Sequence, residues 1–157
     1  MSKIKYFVMD VDGTLTDGKI YMGNHGELMK AFNIKDGCGI HDILLPYNIK
    51  PVIITGRKSD IVANRCKELG ITIVHQGVSN KLQELMCITK DLKTVAYIGD
   101  DINDLLVMKP VKEAGGLVGA PKDAVKQVLE IADFIADHNG GDGAVRDFID
   151  WIVGGEL

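Results

Sequence analysis

Short apolar runs alternate along this chain with segments whose apolar residues recur at helical spacing. The runs cover residues 6–9, 51–55, 71–74, 95–99, 117–119 and 134–135. Nearly every position in a run is apolar, which is typical of strands buried on both faces of a parallel sheet. The intervening segments predict helices over residues 59–69, from 80 onward, 102–108, 123–131 and 143–153, the third ended by Pro110. This alternation predicts an α/β fold with a doubly wound parallel sheet.

One segment breaks the alternation. Residues 18–33 hold two short apolar stretches around a Gly/Asn turn at residues 23–26, which predicts a protruding β-hairpin. A lone two-stranded hairpin is marginally stable in water, so we expect its apolar side chains to pack against another surface, such as a second subunit. No repeat or linker interrupts the 157 residues. We therefore expect residues 1–157 to form a single domain without a cap domain.

The composition of the chain limits the kinds of partner that it is expected to bind. The formal net charge of −4 does not favour nucleic acid or an anionic membrane, and the sequence holds no apolar run of 18 residues. The three cysteines, Cys38, Cys66 and Cys87, are too far apart for a zinc motif, which favours free thiols and a cytoplasmic protein.

Polar residues stand where three of the predicted strands end. Asp10 and Asp100 each follow an apolar run, and Thr55 is the last residue of another. In a doubly wound sheet, ligands bind beyond the carboxyl ends of the strands, near the point where the strand order reverses. The sequence therefore predicts one site that contains all three side chains.

The residues at this site suit phosphate chemistry. Attack by an anion on a dianionic phosphate ester must overcome repulsion, which a divalent cation offsets. Mg²⁺ prefers oxygen ligands and uses one or two carboxylates, which Asp10 and Asp100 can supply. Asp12, two residues after Asp10, can act as general acid and then as general base. Thr55 offers a hydroxyl group for phosphate oxygens.

Two further groups would complete the phosphate site. Gly56 offers a backbone amide that a phosphate can approach closely, and Lys81 brings a positive charge to a predicted helix N-terminus. Each motif alone has a plain structural explanation: an Asx-turn, a strand-end turn, or a solvated lysine. The acidic segment over residues 99–104 is more specific, because its three Asp carboxylates, beside one Asn, repel one another unless a cation or a helix cap holds them.

These motifs resemble the four motifs of the haloacid dehalogenase (HAD) superfamily of phosphatases, and the similarity extends over nearly the whole chain. The resemblance implies that Asp10 is the nucleophile and forms an aspartyl-phosphate, and that Asp12 is the acid/base. It also implies that Thr55, Gly56 and Lys81 bind the phosphate. Mg²⁺ would be held by the carboxylates of Asp10 and Asp100 and the backbone carbonyl of Asp12. Behind these ligands the resemblance places Asp104, which would act through water or Lys81, together with Asn103.

Within the superfamily, the chain is similar to the capless subclass and to the family of 3-deoxy-D-manno-octulosonate 8-phosphate (KDO-8-phosphate) phosphatases. The segments that carry this likeness are residues 32–37, 54–59, 76–81 and 140–146. The resemblance implies a sugar phosphate as substrate and a homotetramer with the hairpins at its interface. Arg57 and Arg65 are candidates for binding the sugar, because a guanidinium suits an ulosonate carboxylate. The alternative for both is a surface ion pair with Asp60, Glu68 or another acid.

Three other interpretations remain open. The substrate could be a nine-carbon ulosonate 9-phosphate of the N-acetylneuraminate or KDN type. The chain could be a receiver-like signalling domain with a phosphorylated aspartate, although such a switch has no need of the second carboxylate at Asp12. It could also be a non-catalytic oligomerisation module that keeps the fold.

Overall fold

A six-stranded parallel sheet forms the centre of the molecule in the computed structural model, which describes residues 4–154. Its strands are β1 (Tyr6–Met9), β4 (Lys50–Ile54), β5 (Ile73–His75), β6 (Val95–Ile98), β7 (Leu117–Ala120) and β8 (Phe134–Ile135). Across the sheet they lie in the order β5-β4-β1-β6-β7-β8. The order reverses between β1 and β6, which makes this the switch point of a doubly wound sheet. The predicted α/β fold class is confirmed.

Helices cover both faces of this sheet. They are α1 (Ile34–Cys38), α2 (Asp60–Glu68), α3 (Lys81–Ile88), α4 (Leu105–Glu113), α5 (Lys126–Ile131) and α6 (Ala144–Gly154). Because side chains of a strand point alternately to opposite faces, Phe7 and Met9 enter one core cluster and Val8 enters the other. Val62 of α2 and Phe148 of α6 belong to the first cluster, whereas α3, α4 and α5 cover the second.

Two helical segments differ from the sequence prediction. Residues 34–44, which we did not predict to be helical, form α1 and a continuing π-helical segment at Gly39–Leu44. Asn33 caps α1 by accepting a hydrogen bond from the Lys35 backbone N–H at 2.8 Å. The two glycines in this stretch concealed its helical pattern.

The predicted stop at Pro110 is also wrong, since α4 continues to Glu113. A proline inside a helix frees the carbonyl four residues earlier. Here that carbonyl belongs to Leu106, which is 68% exposed, so water can satisfy it.

The hairpin forms a separate two-stranded sheet. Its strands, β2 (Tyr21–Gly23) and β3 (Gly26–Met29), pair with each other in antiparallel fashion and not with the central sheet. The larger apolar side chains on and beside the hairpin are exposed: Ile20, Met22, Leu28, Met29 and Ile34.

Among the helices of residues 4–154, none is both long and apolar enough to span a membrane.

Candidate active site

The tips of β1 and β6 bring two carboxylates together at the switch point. Met9 lies opposite Ile98 in the parallel register, and the Asp10 backbone N–H donates to the Ile98 carbonyl at 3.2 Å. Asp10 therefore leaves its strand beside Asp100, which follows β6. This arrangement depends on the register of two strands that are far apart in sequence.

Three carboxylates form a compact acidic cluster at this point. Oxygen atoms of Asp10, Asp100 and Asp104 all lie within 4.8 Å of one another. Burial, together with the negative charge of Asp104, raises the pKa of Asp10 to about 6. Burial and the charges of Asp10 and Asp104 raise the pKa of Asp100 to about 8. The protein alone thus leaves this cluster short of positive charge.

Lys81 is the cation that the chain itself brings to the cluster. From the first turn of α3 its Nζ lies 3.0 Å from Asp10 Oδ1 and 2.8 Å from Asp104 Oδ1. Burial disfavours the ammonium, but the charges of Asp10 and Asp104 outweigh it and raise the pKa of Lys81. Lys81 is therefore a permanent positive charge beside Asp10.

Asp104 is already engaged by protein donors. Besides Lys81, the Tyr97 hydroxyl donates to its Oδ1 at 2.7 Å, and the backbone N–H groups of Asp100 and Asp101 donate to its Oδ2 at 2.9 and 3.2 Å. The Asp104 side chain is fully buried. These contacts hold Lys81 and the turn after β6 in place, and they leave Asp10 and Asp100 as the carboxylates available to a cation.

The donor set fits a hard divalent cation. Carboxylate oxygens are the ligands that Mg²⁺ prefers, and a divalent charge would relieve the repulsion that raises the pKa values of Asp10 and Asp100. Thr14 Oγ1 donates to Asp100 Oδ1 at 3.0 Å and orients that carboxylate.

A cavity of about 210 Å³ opens above the cluster. Most of the residues that the sequence predicted for the site line it. The lining residues are Asp10, Asp12, Thr55, Gly56, Arg57, Asp100, Asp101 and Asn103. Lys81 lies beneath the cavity, in contact with Asp10.

Arg65 is placed away from this cavity. Its Nη1 donates to Glu68 Oε2 at 2.8 Å, and its guanidinium lies 5.7 Å from the centre of the Phe32 ring. It lines a narrow neighbouring cavity with Asp36 and Cys66. Arg65 is thus paired with Glu68, as in the ion-pair alternative, and its assignment to sugar binding stays a prediction. Arg57, by contrast, lines the cavity with a side chain that is 44% exposed.

Two charged residues at the site were missed by sequence analysis. Lys30 and Glu27 of the hairpin segment reach the cavity wall, where Lys30 Nζ lies 2.5 Å from Asp12 Oδ1 and 2.8 Å from Glu27 Oε1. The sequence places the hairpin near the turn at Asp12, but it contains no pattern that selects these two residues over the other charges of the segment.

Comparison of the sequence with known proteins finds relatives that are phosphatases. No protein-family model matches the chain. The chain is 45% identical over 154 residues to the 3-deoxy-D-manno-octulosonate 8-phosphate phosphatase KdsC of Escherichia coli (strain K12), which covers 96% of this chain and 79% of the relative.

Comparison with solved structures leads to the same family. The 3-deoxy-D-manno-octulosonate 8-phosphate phosphatase from Moraxella catarrhalis, in complex with magnesium ion, phosphate ion and KDO, superposes with a TM-score of 0.87 at 42% identity, covering 96% of this chain and 86% of that one. A HAD superfamily (subfamily III A) hydrolase described from Legionella pneumophila superposes with a TM-score of 0.86 at 39% identity, covering 96% and 82%. By sequence identity over most of both chains, this protein belongs to the KdsC family of 3-deoxy-D-manno-octulosonate 8-phosphate phosphatases in the HAD superfamily.

Proposed function

We propose that this chain is an Mg²⁺-dependent phosphatase that hydrolyses KDO-8-phosphate. The observation that carries the proposal is the cavity at the switch point. Asp10, Asp12, Thr55 and Gly56 all line this cavity, whose volume is about 210 Å³. The family relationship supports the same reaction, since the KdsC relative carries this activity in its name.

Asp10 is the nucleophile in this proposal. One of its carboxylate oxygens attacks phosphorus, the bond from phosphorus to the sugar oxygen breaks, and an aspartyl-phosphate forms. Asp12 donates a proton to the departing oxygen and then takes a proton from the water that hydrolyses the intermediate. A bound Mg²⁺, held by Asp10, Asp100 and the backbone carbonyl of Asp12, would offset the negative charge of the phosphoryl group.

Positive and polar groups would hold the phosphate on the other sides. Thr55 supplies a hydroxyl group and Gly56 a backbone amide from the turn after β4. Lys81 adds a buried positive charge at the N-terminus of α3, where an anion is favoured. Asp104 fixes the position of Lys81 through the 2.8 Å contact between them.

The sugar must extend beyond the cavity of one chain. A volume of about 210 Å³ is smaller than the roughly 300–1,000 Å³ of typical ligand pockets. It suits the phosphate and the neighbouring atoms of the ester. Arg57 stands at the cavity wall, and its guanidinium is the group that we assign to the ulosonate carboxylate.

We also infer a homotetramer with the hairpins at its interface. Met22 and Leu28 are 60% and 68% exposed on a two-stranded sheet that lacks a partner sheet within residues 4–154. Association of these faces would bury apolar surface and bring further residues to the cavity mouth. Replacing Leu28 with Lys should lower the molar mass measured by light scattering and leave the circular dichroism spectrum unchanged.

The cytoplasmic location expected from the sequence stays a prediction.

The first experiment is phosphate release from KDO-8-phosphate and N-acetylneuraminate 9-phosphate, with Mg²⁺ and with EDTA. We expect Mg²⁺-dependent hydrolysis with a preference for the eight-carbon ester. Asp10→Asn should abolish turnover while the fold survives, because the amide cannot form the acyl phosphate. Measurable hydrolysis by purified Asp10→Asn would contradict the role of Asp10, and preference for the nine-carbon ester would overturn the substrate assignment. A long-lived phosphorylated Asp10 would favour the receiver interpretation.

A further inference from the structure

The hairpin segment places a buried lysine, Lys30, in contact with Asp12, the proposed general acid/base. Lys30, the residue after β3, donates from Nζ to Asp12 Oδ1 at 2.5 Å and lies 2.8 Å from Glu27 Oε1. Its side chain is 3% exposed. Burial works against the ammonium, but the hydrogen bonds with Asp12 and Glu27 outweigh it and raise the pKa of Lys30. A charged group this buried persists because carboxylates pair with it.

Glu27 extends this contact to the phosphate-binding turn. Ser59 Oγ donates to Glu27 Oε2 at 2.6 Å, and Arg57 Nη2 lies 3.8 Å from Glu27 Oε1. Both residues belong to the loop after β4 that also supplies Thr55 to the cavity. A chain of polar contacts thus runs from Asp12 through Lys30 and Glu27 to the opposite wall of the site.

These contacts join two parts of the fold that share no strand pairing. The hairpin strands pair only with each other within residues 4–154, whereas Asp12 follows strand β1 of the central sheet. The contact between Lys30 and Asp12 therefore makes the position of the Asp12 carboxylate depend on how the hairpin is docked.

We propose that Lys30 is a positioning residue for Asp12: it holds Oδ1 and thereby presents Oδ2 to the leaving oxygen of the substrate. This inference rests on the phosphatase function proposed above. Proton transfer requires the two heavy atoms to approach within roughly 2.6–3.2 Å. Without Lys30 the Asp12 side chain regains rotamer freedom and spends less time in that geometry.

Two substrates with different leaving groups can distinguish this positioning role from a merely structural one. A sugar alkoxide is a poor leaving group and needs a proton from Asp12, whereas p-nitrophenolate departs without one. The value of kcat/KM covers the steps up to phosphoryl transfer, so for p-nitrophenyl phosphate it is insensitive to the position of Asp12. The ratio of kcat/KM for the two esters is also independent of the fraction of correctly folded enzyme.

The experiment measures both esters with Lys30→Met in the full chain with Mg²⁺. We expect kcat/KM for KDO-8-phosphate to fall by about 100-fold, the lower end of what a general acid contributes, and that for p-nitrophenyl phosphate to fall by less than about fivefold. Lys19→Met is the matched control, because it removes the same charge from an exposed position at the start of the hairpin segment. It should leave both values unchanged.

A double-mutant cycle gives an independent test. In an Asp12→Ala background, where no carboxyl group remains to be positioned, Lys30→Met should have no further effect on KDO-8-phosphate hydrolysis. Equal losses for the two esters, or a full additional loss in the Asp12→Ala background, would overturn the role of Lys30 and leave the phosphatase function intact. A wild-type chain that hydrolyses neither ester would overturn the proposed function itself.

Discussion

At the residue scale, Gly13 shows how closely the loop after β1 approaches the carboxylate of Asp100. Its φ of +88° is favourable for glycine and strained for other residues, and a Cβ atom built there would lie 2.0 Å from Asp100 Oδ2. Gly140 packs on the other side of the same loop, where a Cβ would lie 1.9 Å from the Gly13 carbonyl oxygen. The turn after Asp12 is therefore held between Asp100 and the segment before α6.

Replacing Gly13 with Ala should displace the Asp100 carboxylate. We expect Mg²⁺ affinity to fall by about 10–100-fold, as is typical when the support of a metal ligand is lost, and titration calorimetry would measure it. Gly115→Ala is the matched control, since Gly115 has a φ of +87° and no atom within 4 Å of an added Cβ. The control carries the same backbone strain without the clash, so an equal loss of affinity in both variants would contradict this explanation.

At the element scale, α1 supports the N-terminus of α6. Asp36 in α1 accepts a hydrogen bond from the Arg146 backbone N–H at 2.9 Å, and a second from the Gly143 backbone. The side chain is buried, and its other oxygen, Oδ2, has no hydrogen-bond partner within residues 4–154. Burial outweighs the two hydrogen bonds and raises the pKa of Asp36 to about 6.

The raised pKa of Asp36 makes the stability of the fold depend on pH. Between about pH 4 and pH 6 the folded state binds more protons at this residue than the unfolded state, so stability should fall as pH rises through this range. We expect the free energy of unfolding of the wild type, relative to Asp36→Asn, to decrease by about 3 kcal/mol over this interval and then to stay constant. Urea unfolding at several pH values measures it. A constant difference between the two proteins would show that Asp36 is not the group responsible.

At the scale of the whole molecule, the acidic cluster ties stability to a bound cation. Asp10, Asp100 and Asp104 come from two loops whose strands lie side by side only in the folded sheet. The repulsion among them is therefore a cost of the folded state that the unfolded chain avoids, and a cation bound to the folded state removes it.

Magnesium and the Asp100→Asn substitution should therefore each relieve this repulsion, and the substitution should remove most of the stabilisation that magnesium provides. In EDTA, Asp100→Asn should raise Tm, because burial and the neighbouring charges already disfavour the ionised Asp100 carboxylate. With Mg²⁺ at about 100 times its Kd, the wild type should gain about 2.7 kcal/mol, and the variant should gain much less. Differential scanning fluorimetry would show this crossover. A variant that Mg²⁺ stabilises as much as the wild type would exclude Asp100 as a ligand.

Local patterns predicted the main elements but not every boundary. Each of the six strands lies at or within a few residues of its apolar run, because continuous burial leaves a clear composition. The helix over residues 34–38 was missed because Gly37 and the following Gly39 obscure the periodicity, and α4 passes Pro110 because solvent can satisfy the freed carbonyl. In both cases the surroundings of the helix outweighed its intrinsic propensity.

By itself the sequence determined the α/β class, the strand ends and the set of polar residues at them. This is possible because parallel strands bring their carboxyl ends to one edge, so residues at strand ends converge whatever the details of packing. Only the tertiary structure decided that Lys30 meets Asp12 and that Arg65 faces Phe32 and Glu68. Those contacts depend on the angle at which the hairpin leaves the sheet and on the rotation of α2 about its axis. Both angles are set by packing across the whole molecule, for which a local pattern of residues carries no information.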